Sequence, residues 1–394
     1  MTLAPDTSPA TVTATSVAGS RDRRGSWIPT GGMIATRFME LRKRRGLMLT
    51  LVGVTIGLPT LFLTIRLLLH AIDPHTYGPA GGYDIFNHLV VVVLYVFGFI
   101  VAATLGCTAG SVDLTEGMFR HLVVTGRSRL ALYLARIPAG LAIIGPLVAI
   151  GFAIVCTVCA FAAPTTLNYN GVKVPGGLSR PALENWAGNH ADQVVCGFPY
   201  NGPPPVNVPC GNGTFSGPPG QINNGAAGSG TPAQPTPASV KAAAVQIAKQ
   251  DYADYSRFFL SPSTSLMIKT GLWLELEALI GFVVGLGLGA LIGQRTVAVI
   301  MMIVLEIILT PIFSRAKIPH FINLQRAVVG LATAHLEPAG LSVRIFGGDG
   351  GGPPGARAAS ILLPETTFVA VCVILAWLIG WTILGAWRMT TRDA

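Results

Sequence analysis

The distribution of charge along this chain leaves few folds open to it. Residues 89–106 and 137–163 contain no Asp, Glu, Lys or Arg. Between them, the stretch from Gly110 to Arg129 holds Asp113, Glu116, Arg120, His121, Arg127 and Arg129. The uncharged runs are long enough to cross the hydrocarbon core as helices, and a charged stretch that dense cannot lie within it. Only 11% of the 394 residues are charged and 51% are hydrophobic, whereas a soluble domain carries roughly 25% charged residues. The pattern predicts an all-α integral membrane protein, with 110–129 as a loop at one membrane face.

Six segments meet the requirement of about 20 mostly apolar residues for a spanning helix. They are 47–70, 88–109, 130–163, 266–293, 296–313 and 366–388. The third is long and carries Pro138 and Pro146, which kink or tilt it. Only Gln294 and Arg295 separate the fourth from the fifth, so these two form a tight hairpin. The fifth is short and contains Glu306 and Pro311.

Basic residues set the orientation. Arg37, Arg42, Lys43, Arg44 and Arg45 precede the first span, and 71–86 has no Lys or Arg. An excess of Lys and Arg marks the cytoplasmic side. Both termini and 110–129 are then cytoplasmic, and 164–265 and 314–365 lie outside. The five basic residues of 314–365 run against the rule. The net charge of +9 reflects this signal, since eight Lys and Arg fall between Arg21 and Arg45; it implies a lipid bilayer, not nucleic acid. Arg outnumbers Lys 21 to 6, as in GC-rich bacterial genomes, so the expected location is a bacterial plasma membrane.

The chain divides accordingly. Residues 1–32 read as a disordered cytoplasmic tail; its first 20 residues are rich in Thr, Ser, Ala and Pro and lack the basic region followed by an apolar core that makes a signal peptide. Residues 33–163 hold an interfacial helix, with Ile34, Phe38 and Leu41 on its apolar face, and three spans. Residues 164–265 form a long Gly/Pro-rich outer loop, and 239–259 within it has the composition of a helix. Residues 266–388 hold three more spans, with a helix at the outer interface over 320–336. Residues 389–394 are a cytoplasmic tail.

Cys196 and Cys210 lie in the outer loop, where oxidation would join them as a disulfide. Cys156 and Cys159 form a C-x-x-C inside an apolar span and read as packing. Gly281, Gly285, Gly289 and Gly293 recur at a spacing of four, which lines one helix face with small residues. Such a face allows close approach of another helix, within the subunit or at a dimer interface. Arg66, Glu275, Glu277 and Glu306 are ionisable residues inside spans. They line a polar conduit or hold helices together, and Arg66 and Glu275 fall on the same side, so they can pair. Lys269 and Arg136, near span ends, are expected to snorkel. His70, Asp73, His75, Asp84 and His88 cluster around the first outer loop. They leave open a second reading, in which the chain is a membrane-embedded enzyme or an outer-loop binding protein. No G-x-x-x-x-G-K-[ST] nucleotide loop occurs.

The charged stretch resembles the permease subunits of ABC transporters, in particular the type-2 exporter class. The matching residues are Glu116, Gly117, Leu122, Val123, Arg127, Arg129, Ala135 and Arg136. The departures are Met118 where Thr or Ser is usual, Gly126 where Pro is frequent, and Arg136 for Lys. The resemblance implies a six-span subunit that forms a conduit with a second permease, as a homo- or heterodimer. It also implies a coupling helix docked on a separate ATPase subunit, which binds ATP–Mg; the permease itself binds no cofactor and is not an enzyme. Asp113, Glu116, Gly117, Met118, Phe119, Arg120 and Arg127 would make that contact. The outer loop is longer than the family pattern.

Overall fold

The computed structural model describes residues 28–77, 79–115, 128–164, 166–169, 172–197, 236–259, 261–305, 326–338, 341 and 366–391. Among them, five helices are long and apolar enough to cross a membrane: α2 (Arg45–Ile72), α3 (Tyr83–Val112), α4 (Arg129–Phe161), α8 (Thr264–Ile292) and α11 (Thr367–Thr391). A short α1 (Gly31–Lys43) precedes them. Between α4 and α8 lie the antiparallel hairpin β1 (Thr166–Tyr169) and β2 (Val172–Pro175), then α5 (Arg180–Asn189), α6 (Ala191–Gly197) and α7 (Pro237–Phe259). Between α8 and α11 lie α9 (Arg295–Ile303) and α10 (Val329–His335).

The spans are not equivalent. Within their most apolar stretches, 72% of α8 and 69% of α3 is buried by protein, against 22%, 33% and 17% for α2, α4 and α11. The first two form the centre, and the others wrap it. Leu61, Phe62, Ile65 and Leu68 of α2, and Phe368, Ile379, Ile383 and Trp387 of α11, remain exposed on the bundle surface. In a bilayer those faces meet lipid at no hydrophobic cost.

Glycines explain the central pair. A Cβ at Gly285 would fall 2.6 Å from the Ala103 carbonyl oxygen, and one at Gly289 would fall 2.5 Å from that of Cys107. In return, a Cβ added at Gly106 of α3 would collide with the Phe282 carbonyl, and one at Gly110 with that of Leu286. The backbones touch with no side chain between them. Gly281 is looser, 3.1 Å from Phe99. The spacing-of-four face is therefore a contact within the subunit. Gly293 is not part of it: it takes the left-handed conformation (φ 76°) that caps α8 and donates its N–H to the Gly289 carbonyl at 2.9 Å. On another face of α8, Gly287 meets the Trp381 carbonyl, and Gly385 of α11 stacks on Gly287 beside Tyr133.

Several expectations change. Of the span expected at 296–313, residues 296–305 are described, and the remainder, with Glu306, lies outside the described residues. Of the Gly- and Pro-rich stretch 197–237, residues 198–235 lie outside the described residues, and the helix expected over 239–259 lies within α7 of the loop 164–265. Its described parts share a small core of Val174, Leu183, Ala187, Val194, Ala244, Ile247, Ala248 and Tyr255. The Tyr255 hydroxyl locks it, donating to the Pro175 carbonyl and accepting from the Leu178 N–H at 3.1 Å. The hairpin here is a small exception to the all-α class. α10 is not laid on a surface: Val329 to Thr333 are buried, and the Trp273 and Trp377 indoles donate to the Thr333 and Ala327 carbonyls at 3.1 and 2.7 Å. α1 does carry Leu41 and Phe38 inward, but it packs on the bundle, with Arg37 buried beside Glu40 at 2.6 Å.

Candidate functional site

The charged stretch begins inside a helix. α3 continues without a break to Thr115, so Asp113 lies in its last turn. The chain returns at Ser128, whose hydroxyl caps the next helix by accepting the Ala131 N–H at 3.1 Å. Glu116, Gly117, Met118, Phe119, Arg120 and Arg127 lie outside the described residues.

Two arginines hold the stems together. Arg136 is 2% exposed, and its Nη1 donates to the Gly110 carbonyl of α3 at 3.3 Å. It does not snorkel to the surface. A cation among the last carbonyls of a helix complements the macrodipole there. Arg129 donates from Nη1 to the Thr390 carbonyl at 3.1 Å, near the end of α11. The ends of α3, α4 and α11 thus converge on the base of the stretch. Ser111 and Thr108 donate their hydroxyls to the Cys107 and Thr104 carbonyls, so neither polar side chain is left unsatisfied at this end of α3. The sequence signal for Arg136 was its place one residue before an uncharged run, and proximity to a span end outweighed it.

The intramembrane ionisable residues do not converge. Arg66 and Glu275 do not pair. Arg66 donates from Nη2 to the Pro79 carbonyl at 2.9 Å, and its Nε is buried without a partner. Glu275 is half-buried beside Gly145 of α4, where a Cβ would stand 3.4 Å from Oε2. Glu277 is 2% exposed and meets the Thr333 side chain of α10. Oε1 of each glutamate is sealed from solvent and unpartnered. They leave α8 in different directions, so the described residues line no common polar path.

Around the first loop, His88 Nδ1 lies 3.3 Å from Asp84 Oδ1 and 2.9 Å from the Asp84 carbonyl, on an exposed surface. Asp73 accepts the N–H and hydroxyl of Thr76 at 3.2 and 2.5 Å, a turn cap. His70 ends α2, and His75 lies in the one-turn helix Pro74–Tyr77. Among the described residues, no three His, Cys, Asp or Glu side chains gather as a metal ion would need. Cys196 sits at the end of α6, and Cys210 lies outside the described residues. Cys159 is buried and Cys156 half-buried in α4.

Comparison with protein families, with characterised proteins and with solved structures returns no match.

Proposed function

We propose that the chain is the permease subunit of an ATP-driven exporter of the ABC type, with residues 110–129 as its contact with a separate ATPase. The observation that carries this reading is the clamped base of the stretch. Arg136 ties α4 to α3 at Gly110, and Arg129 ties the same segment to α11. A free loop needs no such ties, whereas a loop that receives a push must pass it to several helices at once. Five spans long and apolar enough to cross a membrane, with α2 and α11 largely uncovered, suit a second permease copy or homologue completing the conduit. Both termini lie in the cytoplasm of a bacterial cell, and Cys196 pairs with Cys210 outside. The transported solute is apolar or amphipathic, in keeping with the apolar spans.

The test is charge reversal at Glu116 and Arg120 together, with the ATPase co-expressed. ATP-driven export is lost and membrane insertion is unchanged. Normal export by the double variant overturns the reading.

A further inference from the structure

We propose that Glu277 is an intramembrane proton-binding site, with the proton shared between its carboxyl and Thr333 of α10. The proposal is independent of the transporter reading and rests on counting hydrogens. Glu277 lies midway along α8, 2% exposed, with Oε1 sealed from solvent and unpartnered. The group facing it is the Thr333 side chain. The Thr333 hydroxyl has a single hydrogen, and it is donated to the Gly330 carbonyl at 3.1 Å. The Trp273 indole hydrogen is also committed, to the Thr333 carbonyl. The carboxyl and the Gly330 carbonyl thus compete for the one Thr333 hydrogen, which cannot serve both.

A bare carboxylate in that position has lost its water and gained nothing in exchange. A carboxyl that carries its own hydrogen completes the set. It donates to Thr333 Oγ1, which keeps a lone pair to accept while donating to Gly330. When the proton leaves, the carboxylate can be satisfied only by the Thr333 hydrogen, and the Gly330 carbonyl is released. The proton therefore decides which bond α10 makes inside itself and which it makes to α8.

Other titratable groups do not substitute for the proton. α3 brings Tyr95, whose ring stacks on Trp273 with centroids 4.9 Å apart. α10 ends in His335, with Glu337 just beyond. On α8 itself, Glu275 turns toward Gly145 of α4, and Lys269 lies two turns back. α11 has no titratable side chain between Cys372 and Arg388, and α9 has only Arg295. Tyr133 and Arg136 of α4 serve the other end of α8, where Gly287 meets Gly385 and Arg136 reaches the Gly110 carbonyl of α3.

The experiment is infrared spectroscopy of the full chain in lipid bilayers, wild type against E277Q, across a pH series. A carboxylic-acid C=O band is present in the wild type, is absent in E277Q and disappears as pH rises. The T333V variant shifts the band, because its hydrogen-bond partner is gone. No difference between wild type and E277Q at any pH overturns the proposal. A second measurement needs no variant. N,N′-dicyclohexylcarbodiimide, an apolar reagent that adds to protonated carboxyls, should modify Glu277 in wild-type chain, with the yield falling as pH rises. Absence of that adduct at acidic pH overturns the proposal, as does protection by sodium ion in place of alkaline pH.

Discussion

Replacing Gly285 with Ala should destabilise the chain, although the same change stabilises an isolated helix. Ala is favoured over Gly in a helix interior by about 1 kcal/mol. Against this stands the contact with α3. The added Cβ would fall 2.6 Å from the Ala103 carbonyl oxygen and 3.1 Å from its Cα, both backbone atoms that cannot rotate away. Restoring an ordinary contact moves the helices apart by about 0.7 Å, a gap that forfeits a quarter to a half of each attraction of about 0.1–0.2 kcal/mol. The loss spreads along the interface, because Gly289, Gly106 and Gly110 are held at the same close distance. Over roughly 40 atom pairs it comes to about 2 kcal/mol, which leaves a net destabilisation of about 1 kcal/mol.

Gly380 supplies the control. It lies inside α11 with nothing within 4 Å of an added Cβ, so Gly380→Ala should stabilise by up to about 1 kcal/mol. Gly281→Ala should fall between, since its nearest neighbours at 3.1 Å include the movable Phe99 ring. Thermal unfolding of the purified variants in one detergent, followed by tryptophan fluorescence, gives the order of Tm. The expected order is G380A above wild type, then G281A, then G285A. Gly285→Leu should fail to give a folded chain. If G285A melts with G380A, the backbone contact between α3 and α8 is not what holds the pair, and the reasoning fails.

Tyr255→Phe removes the hydroxyl that bridges Pro175 and Leu178. It should weaken the small core of 172–255 by about 1–2 kcal/mol, seen as faster amide exchange over 172–178 while the spans are unaffected. Burial raises the pKa of this phenol above its ordinary value near 10. The neutral form is therefore the one the fold favours. Its contribution is complete below the unfolded value and lost as pH rises through the folded one, so the same exchange should accelerate only in strongly alkaline buffer. Arg136→Ala should loosen the base of the charged stretch and raise protease cleavage within 116–127, whereas Arg136→Lys, which keeps a cation for the Gly110 carbonyl, should restore much of the protection. Single cysteines at Arg295 and Arg388 should react with an impermeant maleimide only in inside-out vesicles, and one at Ser179 only in right-side-out vesicles. The reverse pattern would invert the orientation assigned from the basic residues.

The parts of this fold that could be read from the sequence are those governed by a single physical effect. Long apolar runs with few charges mark the spans, and the five described ones lie where such runs place them. A row of glycines says that a helix will be approached closely, but not by which neighbour. Gly106 and Gly110, the complementary pair, carry the signal on the other side of the contact. The period also runs one turn too far: Gly293 continues it and yet serves as a cap, because α8 ends at Ile292. Where two effects compete, the pattern along the chain misleads. The Gly- and Pro-rich composition of 197–237 hid the apolar positions on either side of it, Val174, Leu183 and Val194 against Ala244, Ile247 and Tyr255. Gln325 and Arg326 made 320–336 look interfacial, but two indole donors on α8 and α11 draw its carbonyls inward. Counting along their spans puts Arg66 and Glu275 on the same side, but Arg66 reaches the Pro79 carbonyl and Glu275 lies beside Gly145, and spacing along separate helices does not report direction.

The clamp and the glycine contact together restrict how this bundle can move. Gly110 belongs to both: its carbonyl receives Arg136, and its Cα lies against the Leu286 carbonyl of α8. Any displacement of α4 at Arg136 therefore reaches α8 within one residue of α3. The two central helices cannot slide past each other without lifting Gly285 and Gly289 off the Ala103 and Cys107 carbonyls, so they move as one body. The freedom that remains lies with the outer helices α2 and α11, which have only 22% and 17% of their apolar stretches covered, and α2 also carries a π-helical turn at Gly53–Gly57. That turn rests on Gly151 of α4, where a Cβ would stand 2.1 Å from the Thr55 carbonyl. If the bundle reorients during a cycle, a cross-link joining α3 to α8 should leave activity intact, and one joining α2 to α4 near Gly151 should abolish it. The opposite result would place the moving seam inside the central pair.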